Sequence, residues 1–235
     1  MKSEKISLYR HAPNTITCLN LFCGCLSVVH SLGGMLDIAA YLILVAAVFD
    51  FLDGFAARWL KAYSDLGKQL DSLADMVSFG VAPASVMYML LGNTGYYLIA
   101  PAAYIIAVFS ALRLAKFNID TRQTDSFIGL PTPANALFIC SLAFISADNI
   151  QLYVLTNDNI FFLLAVTAVS SYLLVAELPL FSLKFKSFDW KSNKIRYIFV
   201  IISVIVLIML QWAGLAVVIL IYIVLSIFTN LLCNR

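Results

Sequence analysis

The stretch FDFLDGFAARWLKAYSDLGKQLDSLADMV, residues 49–77, places four aspartates in an otherwise strongly apolar chain. They form two pairs, Asp50 with Asp53 and Asp71 with Asp75. A carboxylate at membrane depth is costly, so such residues usually face a partner or a water-filled cavity. Residues three or four positions apart share one face of a helix, so each pair lies on one side of its own helix. The stretch therefore predicts two neighbouring helices that bring four carboxylates to one point.

The composition of the whole chain is typical of an integral membrane protein. Of its 235 residues, 62% are hydrophobic and 12% are charged, and the mean hydropathy is +0.93. Soluble domains are about half apolar and about a quarter charged. The net charge of +2 says little, because its distribution matters more than the total. Membrane lipid is the expected surrounding of most of the surface, and no nucleic-acid partner is expected.

Eight apolar segments are candidates for membrane spans, since a helix of about 20 residues crosses the hydrocarbon core of a bilayer. We predict an all-α bundle of eight transmembrane helices, of which the last two are divided at QWAG, residues 211–214. The predicted spans are 14–33, 36–57, 70–91, 95–115, 132–147, 158–178, 195–211 and 214–232.

The distribution of positive charge supports this topology. With the N-terminus inside, all 15 lysines and arginines fall at the inner ends of the spans, and the outer loops contain none. Cytoplasmic loops of membrane proteins are enriched in these residues. Merging the last two spans would place Arg235 outside. We therefore predict that both termini and the four aspartates lie on the cytoplasmic side.

Four carboxylates that lie close together repel one another unless they are protonated or bind cations. Ligand sets made only of oxygen favour Mg²⁺ or Mn²⁺ over zinc, and two-metal sites stabilise both sides of a phosphoryl displacement. Two alternatives are a cation or proton transporter and structural pairing with lysine or arginine. A transporter is expected to have inverted repeats with broken helices near the midplane, and the sequence has no visible internal repeat.

Small residues accompany the aspartates. Gly54 and Ala57 share the face of Asp50, and Gly67 precedes Asp71 by one turn. Small side chains at these positions leave room for a bulky ligand beside the carboxylates. Arg58 follows Gly54 by one turn, and a guanidinium there can bind phosphate oxygens in a bidentate manner.

The complete pattern, Asp50-x2-Asp53-Gly54-x2-Ala57-Arg58-x8-Gly67-x3-Asp71-x3-Asp75, resembles the signature of the CDP-alcohol phosphatidyltransferases. Eight fixed residues at these spacings occur by chance about once in 10⁹ starting positions at average composition. The resemblance implies a metal-dependent enzyme that transfers a phosphatidyl group from a CDP-linked lipid to an alcohol and releases CMP.

The resemblance also implies a role for each matching residue. Asp50 and Asp71 would bridge two divalent cations, Asp53 would bind the first, and Asp75 would bind the second. Asp75 would also act as general base for the acceptor hydroxyl. The residues implied in CDP-diacylglycerol binding are Asn14, Thr17, Asn20, Gly54, Ala57, Arg58, Ser64 and Gly67.

Two further segments indicate the acceptor. Residues 111–136 and 177–186 resemble the membrane-integral phosphatidylserine synthases of this family, which have R-x-A-[RK]-[FY]-N, F-x-G-L-P-x-P and Ser-x-Lys motifs. This resemblance implies CDP-diacylglycerol and L-serine as substrates. One departure is Ala176, where a serine is expected. Glycerol phosphate and inositol phosphate remain alternative acceptors, although both should favour a denser cationic cluster.

A zwitterionic acceptor needs a cation for its carboxylate and acceptors for its ammonium group. The candidate serine-binding residues are Arg113, Lys116, Asn118 and Lys184. The alternative for the lysines is attraction to anionic lipid, worth about 1 kcal/mol each. Glu177 is a candidate either for the substrate ammonium or for an ion pair with a nearby lysine.

We divide the chain into an N-terminal cytoplasmic or interfacial segment (1–13), a catalytic domain (14–190) and a C-terminal transmembrane hairpin (191–235). The resemblance implies a six-helix core to which the hairpin is added. It also implies a homodimer in the inner cell membrane, with the active site at the cytoplasmic face.

Overall fold

The computed structural model describes residues 2–119, 127–148, 159–180 and 190–233. Their fold is helical, as the sequence predicts, apart from two strands of two residues each. The helices are α1 (Lys2–Leu32), α2 (Leu36–Trp59), α3 (Asp65–Asp75), α4 (Ala82–Asn93), α5 (Ile105–Ile119), α6 (Thr132–Asp148), α7 (Ile160–Val175), α8 (Trp190–Leu210) and α9 (Gly214–Cys233). A π-helical segment, Met76–Val81, joins α3 to α4, and short 3₁₀ helices, Ala100–Tyr104 and Gln211–Ala213, precede α5 and α9.

Five helical segments of the described residues are long and apolar enough to cross a membrane, which identifies an integral membrane protein. They are His11–Leu32, Leu36–Trp59, Asp65–Asn93, Ala100–Ile119 and Asn193–Thr229. Helices α6 and α7 have 17 and 16 residues, fewer than the roughly 20 that cross a typical bilayer. Each predicted span corresponds to a helix, but the count of eight crossings and the cytoplasmic termini stay predictions.

The turn between α8 and α9 lies where the sequence predicts it. Helix α8 ends at Leu210, and Gln211 has a φ of +49°. A Cβ on Gly214 would lie 3.0 Å from the carbonyl oxygen of Val206, so glycine lets the end of α8 approach the start of α9 closely. The rings of Phe199 and Tyr222 lie 5.9 Å apart, which shows that the two helices form a hairpin.

Helix α1 begins earlier than predicted. It runs without interruption from Lys2 through Pro13, whereas the predicted first span begins at residue 14. Apolar periodicity identifies the membrane-embedded part of a helix and does not detect a polar N-terminal extension. The segment predicted to precede the first span is therefore helical from residue 2 onwards.

The π-helical segment lies in the middle of the bundle, where other helices approach it closely. A Cβ on Gly24 of α1 would lie 2.8 Å from the Cα of Ser78, and a Cβ on Gly80 would lie 3.1 Å from the Cβ of Ser110 in α5. The Ser78 hydroxyl donates a hydrogen bond to the carbonyl oxygen of Asn20 at 3.0 Å. These contacts hold the end of α3, and with it Asp75, at the centre of the bundle.

The segment before α6 is attached to the end of α7. Strands β1 (Phe127–Ile128) and β2 (Pro179–Leu180) pair antiparallel, and the amide of Leu130 donates to the carbonyl oxygen of Leu173 at 2.8 Å. Gly129 has a φ of +78°, and a Cβ there would lie 2.7 Å from the Leu174 carbonyl oxygen. The C-terminal hairpin packs on this junction through a cluster of Leu130, Leu180, Phe199, Ile219 and Tyr222.

Candidate active site

Helices α2 and α3 bring three carboxylates together, as the spacing of the aspartates predicts. Asp50 and Asp53 come from α2 and Asp71 from α3, and one carboxylate oxygen of each lies within 4.8 Å of the others. Asp53 is 6% exposed, and the other two are half-buried. This separation is short enough for one divalent cation to bind all three side chains.

Asp75 lies one turn beyond Asp71, at the end of α3. Its carboxyl group is within electrostatic range of the other three aspartates. In the described part of the chain, one buried oxygen of Asp75 and one of Asp53 have no hydrogen-bond partner. Unpaired buried carboxylate oxygens are strongly unfavourable, so a cation is the expected partner. The donor set therefore fits hard divalent cations.

A cavity of about 540 Å³ opens beside this cluster, between α1, α2 and α3. Seven of the eight residues predicted to bind CDP-diacylglycerol line it together with Asp53 and Asp71: Asn14, Thr17, Gly54, Ala57, Arg58, Ser64 and Gly67. The eighth, Asn20, is not among the residues that line the cavity; it is 0% exposed, and its side-chain amide has no partner among the described residues.

The walls of this cavity combine space with groups that bind anions. A Cβ on Gly54 would meet no atom within 4 Å, so the backbone there leaves open space. Ser64 caps α3 by accepting a hydrogen bond from the amide of Gly67 at 3.0 Å, and helix N-termini attract negative charge. The Nε of Arg58 donates to the carbonyl oxygen of Gly54 at 3.0 Å, which orients the guanidinium at the rim.

Besides Pro13, which directly precedes Asn14, the cavity also contains residues that the sequence analysis did not select: Ala62, Tyr63, Lys68 and Phe117. Lys68 precedes Asp71 by three residues, so helical spacing alone could have identified it. Its Nζ donates to the carbonyl oxygen of Asn118 at 3.4 Å. Ala62 and Tyr63 lie in the connection between α2 and α3, where no periodic pattern indicates which side chains point inward.

The candidate serine-binding residues have different surroundings. Arg113 is 8% exposed, interacts electrostatically with Asp75 and with Tyr222 of α9, and lies 5.9 Å from the centre of the Phe117 ring. The amide of Asn118 donates to the Ser72 hydroxyl at 2.9 Å, so it connects α5 to α3.

Lys116 lies on the surface and forms an ion pair of 3.0 Å with Glu177. Of the two alternatives for Glu177, the structure therefore contains the lysine pair. Lys184 lies outside the described residues. Among the candidates in the described part of the chain, Arg113 is thus the one that interacts electrostatically with the aspartate cluster.

Comparison with known proteins gives a match to the family model described as CDP-alcohol phosphatidyltransferase, over residues 10–181. Among curated relatives, the CDP-diacylglycerol–serine O-phosphatidyltransferase of Helicobacter pylori (strain J99) is 39% identical over 130 residues, which cover 54% of each chain. The enzyme of the same name from Bacillus subtilis is 37% identical over 134 residues, or 57% of this chain and 76% of the relative.

The archaetidylserine synthase of Methanothermobacter thermautotrophicus is 38% identical over 145 residues, which cover 60% of this chain and 61% of the relative. The chain spans about half the length of the Helicobacter relatives that it matches. The family model includes all four aspartates and the residues around the cavity, and it ends before α8 and α9.

Proposed function

The chain belongs to the CDP-alcohol phosphatidyltransferase family, and from this premise we propose that it transfers a phosphatidyl group from CDP-diacylglycerol to L-serine. The products are phosphatidylserine and CMP. The observation that carries the proposal is the cluster of three carboxylates within 4.8 Å of one another at the edge of a cavity. That cavity is lined by seven of the residues that the signature associates with the CDP-linked lipid.

Serine is supported as the acceptor by two observations on the sequence. The relatives described above are named for serine or for a serine-containing lipid, and the segments at 111–136 and 177–186 resemble those of serine-specific members. A phosphorylated alcohol would require more positive charge. Near Asp75, in the described part of the chain, the buried cation is Arg113.

Two divalent cations, Mg²⁺ or Mn²⁺, would be held by Asp50, Asp53, Asp71 and Asp75. When bound, they would neutralise the pyrophosphate of the donor and stabilise the negative charge that develops during phosphoryl transfer. The unpaired buried oxygens of Asp53 and Asp75 support this assignment.

The residues of the cavity would hold the CDP part of the donor. The Arg58 guanidinium and the N-terminus of α3 at Ser64 would bind phosphate oxygens, because both present donors to an anion. The open space beside Gly54 would accept the nucleotide. The acyl chains would remain in the surrounding lipid, so that binding requires no transfer of the tails into water.

Asp75 would act as the general base. The serine hydroxyl would lose its proton to the Asp75 carboxylate while its oxygen forms a bond to the lipid-side phosphorus. The bond between that phosphorus and the bridging oxygen of the pyrophosphate would break, and CMP would leave with the bridging oxygen. A positioned base contributes about 10²–10⁴-fold to such reactions, and Arg113 would hold the serine carboxylate beside it.

The location of the site follows from the same proposal. We place the carboxylates at the cytoplasmic face of the inner cell membrane, because all lysines and arginines segregate to that side in the predicted topology. L-serine and CMP would then exchange with the cytoplasm. A homodimer is proposed from the family resemblance.

The proposal is tested by measuring CMP release from CDP-diacylglycerol by the purified full-length chain with Mg²⁺ or Mn²⁺. Parallel reactions contain L-serine, glycerol 3-phosphate, inositol phosphate or no acceptor. We expect release that depends on L-serine. Release with a phosphorylated acceptor alone would overturn the assignment of serine, and no release by well-folded protein under any condition would overturn the enzymatic function.

A further inference from the structure

Two polar side chains near the start of α6 are completely buried. Thr132 and Asn135 are both 0% exposed. Within the described part of the chain, neither the Thr132 hydroxyl nor the oxygen and nitrogen of the Asn135 amide has a hydrogen-bond partner. Buried polar groups are almost always paired, because an unpaired group loses its hydration without compensation. A ligand or ordered water is therefore expected beside them.

The start of α6 lies on the same side of the bundle as the carboxylates. Arg113 interacts electrostatically with both Asp75 and Tyr222. Tyr222 belongs to the apolar cluster that contains Leu130, and Ala134 packs against that cluster. These two residues flank Thr132 in the sequence, so the first turn of α6 is close to the Arg113 side of the site.

The depth of these residues in the bundle agrees with that placement. The Cys140 thiol contacts the carbonyl oxygen of Ala40 at 3.8 Å. From Ala40, α2 reaches Asp50 after ten residues, or about 15 Å at the rise of an α-helix. The same distance along α6 from Cys140 toward its start leads to residue 130. Thr132 and Asn135 are two and five residues beyond that point, so they lie about 3 Å and about 7.5 Å further into the bundle than Asp50.

Both side chains also share one face of α6, because they are three residues apart. Ile139, on the same face one turn later, is 0% exposed and belongs to the central core. Helix α6 packs against the π-helical segment that directly follows Asp75. Thr132 and Asn135 thus lie on an interior face of α6, next to the element that carries the proposed general base.

We propose that Asn135 and Thr132 bind the amino-acid part of the acceptor, so that α6 and Arg113 form the acceptor subsite. This inference rests on the proposed function. The Asn135 carbonyl oxygen accepts a hydrogen bond from the substrate ammonium, and its amide nitrogen donates to the substrate carboxylate. The Thr132 hydroxyl supplies a further donor or acceptor. The Nε of Arg113, which is also buried and unpaired among the described residues, faces the carboxylate.

This arrangement selects a zwitterion over a phosphorylated alcohol. Asn135 and Thr132 are neutral and can bind both charged groups of an amino acid at once. They add no positive charge that would compensate the dianion of a phosphate monoester. The subsite therefore accounts for specificity by hydrogen bonding, which discriminates strongly because an analogue without the matching groups leaves buried polar atoms unpaired.

The test compares Asn135→Ala and Thr132→Val with the unsubstituted full-length protein. Ser141→Ala is the matched control, because Ser141 is also buried in α6 but its hydroxyl donates to the Phe138 carbonyl oxygen at 2.6 Å. The KM values for L-serine and for CDP-diacylglycerol are measured separately from CMP release. For Asn135→Ala we expect the KM for L-serine to rise about ten- to a hundredfold, as for loss of hydrogen bonds to charged groups. The KM for CDP-diacylglycerol is expected to change less than about twofold.

Two nearly isosteric variants keep the test decisive if a truncated variant does not fold. Asn135→Asp loses the amide donor and adds a negative charge, so it should raise the KM for L-serine at least as much as Asn135→Ala. Thr132→Val removes the hydroxyl with little change in shape, so it should also raise the KM for L-serine. The Ser141→Ala control should leave both KM values unchanged.

The outcomes separate this inference from the proposed function. Suppose that the unsubstituted protein releases CMP with L-serine, but Asn135→Ala and Asn135→Asp keep its KM for L-serine. Water alone then pairs with the side chains of Thr132 and Asn135, and the inference is wrong. Equal effects on both substrates would indicate a structural role and would also overturn it. If the unsubstituted protein shows no serine-dependent release, the proposed function fails before any variant is compared, and the acceptor subsite fails with it.

Discussion

The two sides of the carboxylate cluster are built in different ways. On the side of the 540 Å³ cavity, the walls come mainly from a continuous stretch that ends α2 and begins α3, with one face of α1. In the proposed acceptor region, Arg113 of α5, the start of α6 and Tyr222 of α9 come from three distant parts of the sequence. A continuous signature therefore identifies the proposed donor side, whereas the proposed acceptor side depends on how separate helices pack.

The largest effect is expected on metal removal, because both substrates would be bound next to the same proposed cations. Treatment of the purified protein with EDTA should abolish CMP release, and added Mg²⁺ or Mn²⁺ should restore it. The reason is that the four aspartates cannot bind an anionic pyrophosphate without neutralisation. Full activity in metal-free buffer, checked by elemental analysis, would contradict the metal-dependent mechanism.

Substitution of the proposed base should have the next largest effect. We expect Asp75→Asn to lower kcat for serine-dependent CMP release by about 10²–10⁴-fold, the usual contribution of a general base. Asp65→Asn is the matched control, since Asp65 is an exposed aspartate at the start of the same helix and does not line the cavity. Comparable losses in both variants would show that the effect does not arise from the chemistry of Asp75.

Much of the donor side could be predicted because helical spacing is local. The i,i+3 and i,i+4 relations place Asp50 with Asp53 and Asp71 with Asp75, and apolar runs predict the helices that carry them. The π-helical segment after Asp75 could not be predicted, since local spacing does not indicate it; in the structure it lies where α1 approaches closely at Gly24. The surroundings of Asn20 were missed for the same reason.

The proposed acceptor side could be predicted much less well from the sequence. Periodicity identifies α6, but it does not reveal that Thr132 and Asn135 are unpaired among the described residues, because burial depends on which helices surround them. From the sequence, Lys116 could bind either serine or anionic lipid. Its ion pair with Glu177 is a contact between distant parts of the chain, which the sequence does not reveal.

The donor side can be tested alone by filling the cavity. Gly54→Leu places a bulky side chain where a Cβ now meets no atom within 4 Å, so the fold should tolerate it while the nucleotide loses space. We expect the KM for CDP-diacylglycerol to rise about tenfold, equivalent to about 1.4 kcal/mol, with little change in the KM for L-serine. Gly92→Ala in α4, where the nearest atom is 3.9 Å away on Tyr97, is the control.

The acceptor side is tested by the reciprocal variant, Arg113→Gln. Loss of a charge-assisted hydrogen bond costs about 1.5–3 kcal/mol, so the KM for L-serine should rise at least tenfold while the KM for CDP-diacylglycerol stays nearly constant. Together with Gly54→Leu, this variant would separate the two binding regions kinetically. An increase in the KM for CDP-diacylglycerol alone would place Arg113 on the donor side instead.

The smallest effect is expected for Lys116, which is also a candidate serine ligand in the sequence. Its side chain is 43% exposed, and that of its partner Glu177 is 68% exposed. Exposed ion pairs contribute about 0–1 kcal/mol, because water and salt screen them and both side chains lose freedom. Lys116→Gln should therefore change the KM for L-serine less than about fivefold, measured beside Arg113→Gln. If Lys116→Gln instead raised this KM as much as Arg113→Gln, the acceptor carboxylate would bind at the surface near Glu177, and the buried subsite at α6 would be wrong.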